Sequence, residues 1–340
     1  MATSIKEVAH KAGVSIGTVS HVLNHPDTVA PATRRRVQKA IKELGYVRND
    51  SARQLRAGRS QTMAMVALDL ANPFFTDVMR GAEIAAEAGG VNVMVFNSGE
   101  DAARERRHLD LAGEQRVLGL LITPVDDTHD DRLDQLVEQG IPVVLVDRGS
   151  GSLHRCSVAV DDVLGGQQVG THLREGGHRR IAFVGGPFTI RQVADRHSGL
   201  VSAPAEEEVV TVVPTSNLTV AAGRGAGQQI ADMPPGLRPT AVFCANDLLA
   251  FGVLQEMTMR GLRVPEDVAI VGYDDIDFAA AAAVPLSSVR QPREQLGRAA
   301  TELLLEEVND PEKHEHRHVV FRPELVVRAS SAPTTLGDGR

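Results

Sequence analysis

Ser4-Ile5-Lys6-Glu7-Val8-Ala9-His10-Lys11-Ala12-Gly13-Val14-Ser15-Ile16-Gly17-Thr18-Val19-Ser20-His21-Val22-Leu23-Asn24 spells out a helix, a tight turn and a second helix in order. Ser4 followed three residues later by Glu7 has capping-box spacing: the hydroxyl accepts a backbone N–H while the carboxylate reaches back, so a helix is predicted from Ile5. Ile5, Val8, Ala9 and Ala12 share one face of that helix. Gly13 supplies the turn, and Ser15 caps a second helix, Ile16–Leu23, whose Val19, Val22 and Leu23 face back to the first. Asn24 and Pro26 end it. A third helix opens near Pro31, carries Val37, Ile41 and Leu44 inward, and stops at Gly45.

Two short helices joined by Ala-Gly-Val and braced by a third form the helix-turn-helix pattern, whose second helix enters a DNA groove. Ile16, Gly17, Ser20 and His21 fall on its outward face. Gly17 permits close approach, and Ser15, Thr18 and Ser20 can hydrogen-bond phosphates. Ile16 can touch a thymine methyl, and His21 can address a base edge or a phosphate. Arg34, Arg35 and Arg36 read equally as a solvated face or as phosphate contacts. Residues 1–59 hold 11 Lys and Arg against 4 Asp and Glu, a net of +7, whereas the whole chain is −8 and the remainder therefore −15. A basic head on an acidic body points to a polyanionic partner for the head alone.

Outward from the head, apolar runs at Met63–Leu70, Val91–Phe96, Leu118–Ile122, Val143–Val146, Ile181–Val184, Val209–Val213, Ala241–Phe243 and Val268–Val271 read as strands. Amphipathic windows such as Phe75–Ala88 and Asp130–Gln139 lie between them. Nearly continuous apolar strands alternating with helices predict parallel sheets covered on both faces, and the length suits two α/β lobes. Ligands in such sheets bind beyond the carboxyl ends of the strands. Asn72, Phe74 and Phe75 follow the first run, Asp147 and Arg148 the fourth, Asn246 and Asp247 the seventh, and Tyr273, Asp274 and Asp275 the eighth. Arg196 is placed in a loop beyond Phe183–Gly186, and Gln291 in a late crossing segment. Aromatic rings beside amide, carboxylate and guanidinium groups suit the C–H faces and hydroxyls of a small polyol.

Ile5-Lys6-Glu7-Val8-Ala9, Ala12-Gly13-Val14-Ser15, Thr18-Val19-Ser20, Val22-Leu23-Asn24, Leu44-Gly45-Tyr46 and Asn49 resemble the headpiece of the LacI/GalR repressor family. Gly177–Gly186, Asn246-Asp247 and Val271–Asp274 are similar to the effector domain of the same repressors. The resemblance implies an all-α helix-turn-helix headpiece (residues 1–47), a hinge (48–59) and a two-lobed periplasmic-binding-protein-like α/β domain (60–330). Its first lobe spans about 60–160 and 291–320, its second about 161–290 and 321–330, before a disordered tail (331–340). It adds Asn24, Asn49, Arg53 and Arg56 to the DNA-facing residues. It also makes Leu55 a wedge for the minor groove, set in a hinge too short to be helical by itself. Asn72, Phe74, Phe75, Asp147, Arg148, Arg196, Asn246, Tyr273, Asp274 and Gln291 resemble a ribose site; Tyr273 and Leu218 depart from its usual aromatics.

The resemblance implies a cytoplasmic homodimeric repressor that binds operator DNA under control of a small sugar, ribose being the expected inducer. The alternatives are a sugar-binding transport component and a sugar-processing enzyme. The basic head speaks against the first, and the lack of a catalytic constellation against the second. No apolar run is long enough for a membrane span, and no cofactor or metal is expected. Cys156 and Cys244 read as reduced core residues, Gly223–Gly227 as a helix or turn, and His314, His316 and His318 as a solvated connection. The segment Leu200–Glu208 is too short for the helix and turn that follow Arg-x-x-Gly in relatives, and Pro204 disfavours a helix there. An open flank on the second lobe is expected, and the shortened segment leaves the placement of Arg196 open. Replacing Leu55 with alanine should weaken operator binding and leave sugar affinity unchanged; equal operator affinity in a mobility-shift titration would reduce the hinge to a tether.

Overall fold

The structure is a computed structural model that describes residues 3–46, 60–126, 128, 130–149, 154–202 and 208–332. The chain divides into two units, Met1–Arg59 and Ser60–Arg340. The segment 47–59, with Asn49, Arg53, Leu55 and Arg56, lies outside the described residues, as does Pro204.

In the first unit, α1 (Ile5–Ala12), α2 (Ile16–Asn24) and α3 (Pro31–Leu44) enclose Val8, Ala9, Ala12, Val19, Val22, Val37 and Ala40. The capping box forms in full: Ser4 accepts from the Glu7 N–H, and Glu7 takes the Ser4 N–H at 2.6 Å. Gly13 and Gly45 end their helices in the left-handed conformation, at φ 64° and 58°.

The second unit holds strands β1 (Thr62–Ala67), β2 (Asn92–Asn97), β3 (Leu120–Ile122), β4 (Val143–Val146), β5 (Ser157–Val160), β6 (Arg180–Gly185), β7 (Val209–Pro214), β8 (Ala241–Cys244), β9 (Ala269–Asp274), β10 (Ser287–Arg290), β11 (His318–Phe321) and β12 (Glu324–Val326). Its helices are α4 (Pro73–Ala88), α5 (Ala102–Glu114), α6 (Asp130–Glu138), α7 (Asp162–Glu175), α8 (Arg191–Val201), α9 (Val220–Ala231), α10 (Asp247–Met259), α11 (Asp277–Ala281) and α12 (Arg293–Asn309). One six-stranded sheet runs β11-β5-β4-β3-β1-β2 and a second runs β12-β10-β9-β8-β6-β7. All pairings are parallel except β10 with β12. The chain passes between sheets after β5, after β10 and between β11 and β12, so the two lobes share one cleft.

Paired glycines set the helix spacing. A Cβ on Gly81 (α4) would stand 1.9 Å from the Glu294 carbonyl oxygen, and one on Gly297 (α12) 1.8 Å from that of Val78. Gly166 (α7) and Gly199 (α8) meet the carbonyls of Arg196 and Val163 in the same reciprocal way, as do Gly223 (α9) and Gly252 (α10) with those of Leu249 and Val220. The Gly223–Gly227 stretch thus belongs to a helix, and its glycines serve backbone-to-backbone packing rather than a nucleotide loop.

Several sequence expectations are corrected here. Arg196 lies on a helix, α8, not in a loop, because Arg191–Val201 packs along α7 through Gly199. Residues 331 and 332 are not part of a disordered tail: Ser331 is buried and bonds His172 Nε2 at 2.8 Å and Ser287 Oγ at 2.7 Å. His314–His318 is not a merely solvated connection. The His314 side chain is only 4% exposed, and His318 Nδ1 shares a 2.9 Å hydrogen bond with Ser157 Oγ. The flank around the shortened segment is open in one respect, since the edge strand β7 leaves Val209 54% exposed.

What closes that flank is an ion pair. Arg174 grips Glu208 with two charge-assisted bonds, Nε to Oε2 at 2.6 Å and Nη2 to Oε1 at 2.9 Å, and also donates to the Leu200 carbonyl at 2.6 Å. The Glu208 carboxylate is wholly buried. Removing one partner of such a pair strands a buried charge and costs about 3 kcal/mol or more. Arg174→Ala should therefore lower the unfolding free energy of the effector domain by that amount in a urea titration, whereas Glu208→Gln in the same background should recover part of it.

Candidate functional site

In the first unit, α2 presents Ile16, which is 41% exposed, together with exposed Gly17 and His21; Thr18 and Ser20 are half-buried. Ser15 first serves the helix: its Oγ accepts the Thr18 N–H at 3.0 Å and shares a bond with the Thr18 hydroxyl at 2.9 Å. Asn24 Nδ2 donates to Ser20 Oγ at 3.3 Å, and the His21 and His25 rings lie 5.4 Å apart. A Cβ on Gly17 would meet nothing in the head nearer than Ser15 Oγ at 3.6 Å. Folding therefore gives no reason for glycine there, while close approach of something outside the head does. Of the arginine run, Arg34 is committed to Asp27 at 3.1 Å and the Pro26 carbonyl, leaving Arg35 and Arg36 exposed.

In the second unit, strand ends from both lobes converge on the cleft. Leu68, Asn72, Phe74, Phe75, Asp147, Ile190, Gln192, Val193, Arg196, Leu218, Asn246 and Asp274 line a cavity of about 20 Å³, room for about one water. The lobes are closed on each other. Asn72 Nδ2 donates to Asp274 Oδ2 at 2.8 Å across the cleft, and its Oδ1 caps α4 through the Phe74 N–H. Gln291 Nε2 donates to the other Asp274 oxygen at 2.8 Å. Gln192 Nε2 donates to Asp147 Oδ2 at 3.1 Å, and the Leu218 N–H donates to Glu100 at 3.1 Å. The Phe74 and Phe75 rings meet edge to face at 4.9 Å.

Arg196 is the cation of this assembly. It donates through Nε to Asp162 at 2.8 Å and through Nη1 to the Ala245 carbonyl at 2.8 Å, stands 3.9 Å from Asp274, and lies 3.8 Å over the Tyr273 ring. Burial opposes its charge, yet the surrounding carboxylates hold it firmly cationic. Burial pushes Asp147 well above the usual carboxylate range, with the Asp162 charge adding to it. It lifts Asp274 to about 6, Arg196 holding that rise down. Glu100 is pushed up to about 7 by burial, its bond from Leu218 acting the other way. Asp147 and Asp274 also sit at φ 55° and 106°, conformations that cost non-glycine residues on the order of 1–3 kcal/mol.

The residues expected at the site are thus not all in one place. Asn72, Phe74, Phe75, Asp147, Arg196, Asn246 and Asp274 line the cavity. Tyr273 lies buried under Arg196, and Gln291 braces Asp274, so both act behind the lining. Arg148 does not line the cavity; its Nη1 donates to the Asp126 carbonyl at 3.2 Å. Asp247 is a wholly buried brace that accepts from Ser288 Oγ at 2.6 Å and the Ile276 N–H at 2.9 Å. Sequence reasoning missed Asp162, Gln192 and Glu100. Asp162 follows β5, a run of only four residues, and Gln192 lies four residues before Arg196, on the same face of α8.

A groove-reading headpiece followed by a ligand-clasping two-lobed domain defines a class of effector-controlled DNA-binding regulators. Residues 4–49 match the profile of bacterial regulatory proteins, lacI family, and residues 171–331 that of the periplasmic binding protein-like domain. The chain is 34% identical over 97% of its length, and 98% of the relative's, to the HTH-type transcriptional repressor PurR of Aliivibrio fischeri (strain MJ11). A LacI family regulator from Enterococcus faecium with bound ribose superposes at TM-score 0.72 with 29% identity, over 81% of this chain and all of that one. The lac repressor dimer bound to operator and the anti-inducer ONPF superposes at TM-score 0.80 with 25% identity, over 97% and 99%. The chain belongs to the lacI family: it is a DNA-binding repressor controlled by a small-molecule effector. Among the described residues no helix is long and apolar enough to cross a membrane.

The raised carboxyl of Glu100 makes the fold's stability pH-dependent. Glu100 rises from 4.5 to about 7, so the folded form holds a proton that the unfolded chain releases, and stability falls as pH climbs through that window. The urea midpoint should therefore drop between pH 5.5 and pH 7.5, and Glu100→Gln should flatten the drop. Equal pH slopes in the two proteins would clear Glu100 of the effect.

Proposed function

We propose that the protein is a homodimeric repressor, acting on operator DNA in the cytoplasm, whose DNA binding is released when ribose binds between the lobes. The observation that carries the sugar is the lining itself. Five carboxylate and amide groups, Asn72, Asp147, Gln192, Asn246 and Asp274, and the guanidinium of Arg196 surround two phenyl rings. Each hydroxyl of a pentose both donates and accepts, which suits such a mixed set, and its C–H faces pack on Phe74 and Phe75. The E. faecium regulator with bound ribose adds support from the same fold. With about 20 Å³ in the closed cleft, the ligand enters by parting the lobes and replaces the Asn72–Asp274 and Gln192–Asp147 bonds.

A purine-type effector is the second reading, favoured by the identity to repressors named PurR. A flat base gains most from a ring on each face. Here the rest of the apolar lining, Leu68, Ile190, Val193 and Leu218, is aliphatic, which favours the sugar. For the DNA side, Ile16, Gly17, Ser20 and His21 carry base readout. Ser15, Thr18, Asn24 and the hinge residues Asn49, Arg53, Leu55 and Arg56 carry phosphate and minor-groove contacts. Two-fold pairing doubles those contacts on a pseudo-palindromic site.

Calorimetry with ribose, other pentoses, a disaccharide and purine bases decides the effector, and a mobility shift with each decides the direction of control. Heat with ribose and loss of the operator complex is the expected result. Heat with a base alone would replace ribose by the second reading. Asp274→Asn should weaken the true effector about 10- to 100-fold, since a lost buried acceptor costs roughly 1–3 kcal/mol. Gly17→Ala should stabilise the head by up to about 1 kcal/mol and still weaken operator binding; unchanged affinity would remove α2's N-terminus from the DNA interface.

A further inference from the structure

Far along the sheet order from β1, at the edge formed by β5 and β11, four side chains with metal-ligating atoms converge. Cys156 immediately precedes β5, Glu307 lies in the last turn of α12, and His314 and His316 occupy the connection from α12 to β11. Cys156 Sγ is 3.1 Å from His314 Nε2 and 3.8 Å from His316 Nδ1. Glu307 Oε2 is 3.7 Å from that His314 atom and 3.9 Å from that His316 atom. All four donor atoms lie within 4.8 Å of one another. A tetrahedral zinc ion with sulfur at about 2.3 Å and nitrogen or oxygen at about 2.0–2.1 Å has donor-to-donor edges of roughly 3.3–3.6 Å. The measured separations straddle that range, so only small side-chain movements are needed.

Hydrogen bonding within the cluster leaves one group unexplained. Glu307 is 9% exposed, and its Oε2, which points into the cluster, is buried and accepts no hydrogen bond. A buried carboxylate oxygen without a partner is costly, and a cation removes that cost. The sulfur is held in place as well: the Arg317 backbone N–H donates to Cys156 Sγ at 3.3 Å. Thiolate and carboxylate together carry two negative charges, which a divalent ion neutralises with two imidazoles completing the set.

We infer that Cys156, Glu307, His314 and His316 form a four-coordinate site for a divalent ion of the zinc class, fixing the end of α12 to the β5–β11 edge. Sulfur and imidazole donors select zinc-like ions over magnesium or calcium, and four protein ligands leave no position for substrate, so the site is structural. It sits just before β11, the strand after which the chain passes to β12 in the other lobe.

The test uses the full-length, tag-free protein. After a chelator wash, reloading with zinc and gel filtration, elemental analysis should return one zinc per chain, and the loaded protein should melt at higher temperature than the stripped one. Loading with cobalt(II) should give the intense visible bands of a tetrahedral ion plus a near-ultraviolet thiolate-to-cobalt band. Cys156→Ser should abolish the thiolate band, and His314→Asn and His316→Asn should each lower retained zinc at least tenfold. A wild-type cobalt spectrum without the thiolate band overturns the inference whether or not the variants fold. So does full zinc retention in Cys156→Ser, which would mark the metal as bound to other surface histidines.

Discussion

One buried guanidinium organises the second lobe's side of the cleft. Asp147, Asp162 and Asp274 are all withdrawn from water within reach of one another, and ionised carboxylates cannot share such a space without a counter-charge. Arg196 is that charge. Its own position is over-determined: two hydrogen bonds, the Tyr273 ring beneath it, and a helix pressed against α7 by Gly166 and Gly199. The shortened segment after α8 does not displace it, because what fixes Arg196 lies before that segment, and the Arg174–Glu208 pair ties down what lies beyond.

The same bonds make the closed cleft a competitor of its ligand. Asn72, Gln291 and Gln192 satisfy the carboxylates that an effector would otherwise engage. An effector shifts the equilibrium only by its differential affinity for the arrangements, so its net effect is what it gains over these internal bonds. By reciprocity, any change in DNA affinity on binding effector is matched by the change in effector affinity on binding DNA.

How much of this was legible follows from how local each signal is. Head caps and turns are set by residues three or four apart, so Ser4–Glu7, Gly13, Ser15 and Gly45 could be read directly. Long parallel strands announce themselves as apolar runs. The four-residue β5 and the serine-rich β10 do not, and Asp162 was lost with β5. The role of Gln192 needed a helix where a loop was expected. His314 and His316 looked solvated because their partners, Cys156 and Glu307, are brought in by the fold rather than by spacing. Which residues line the cavity and which stand behind it, as with Asp274 and Tyr273, is a three-dimensional fact that strand ends alone cannot sort.

The cleft's acid-base balance constrains what it can receive. Burial lifts Asp274 to about 6 and pushes Asp147 well above the usual carboxylate range, so in the closed cleft both hold a proton more readily than a carboxyl in solvent. A ligand rich in hydroxyl donors supplies hydrogen bonds to the ionised form and lowers those values, so its binding releases protons and tightens as pH rises. A ligand that mainly offers acceptors does the reverse, since it is served by the protonated acids. The arginine already spends two of its five N–H groups on Asp162 and a backbone carbonyl. The surplus of acids over cations therefore suits a ligand's hydrogen-bond donors better than its acceptors.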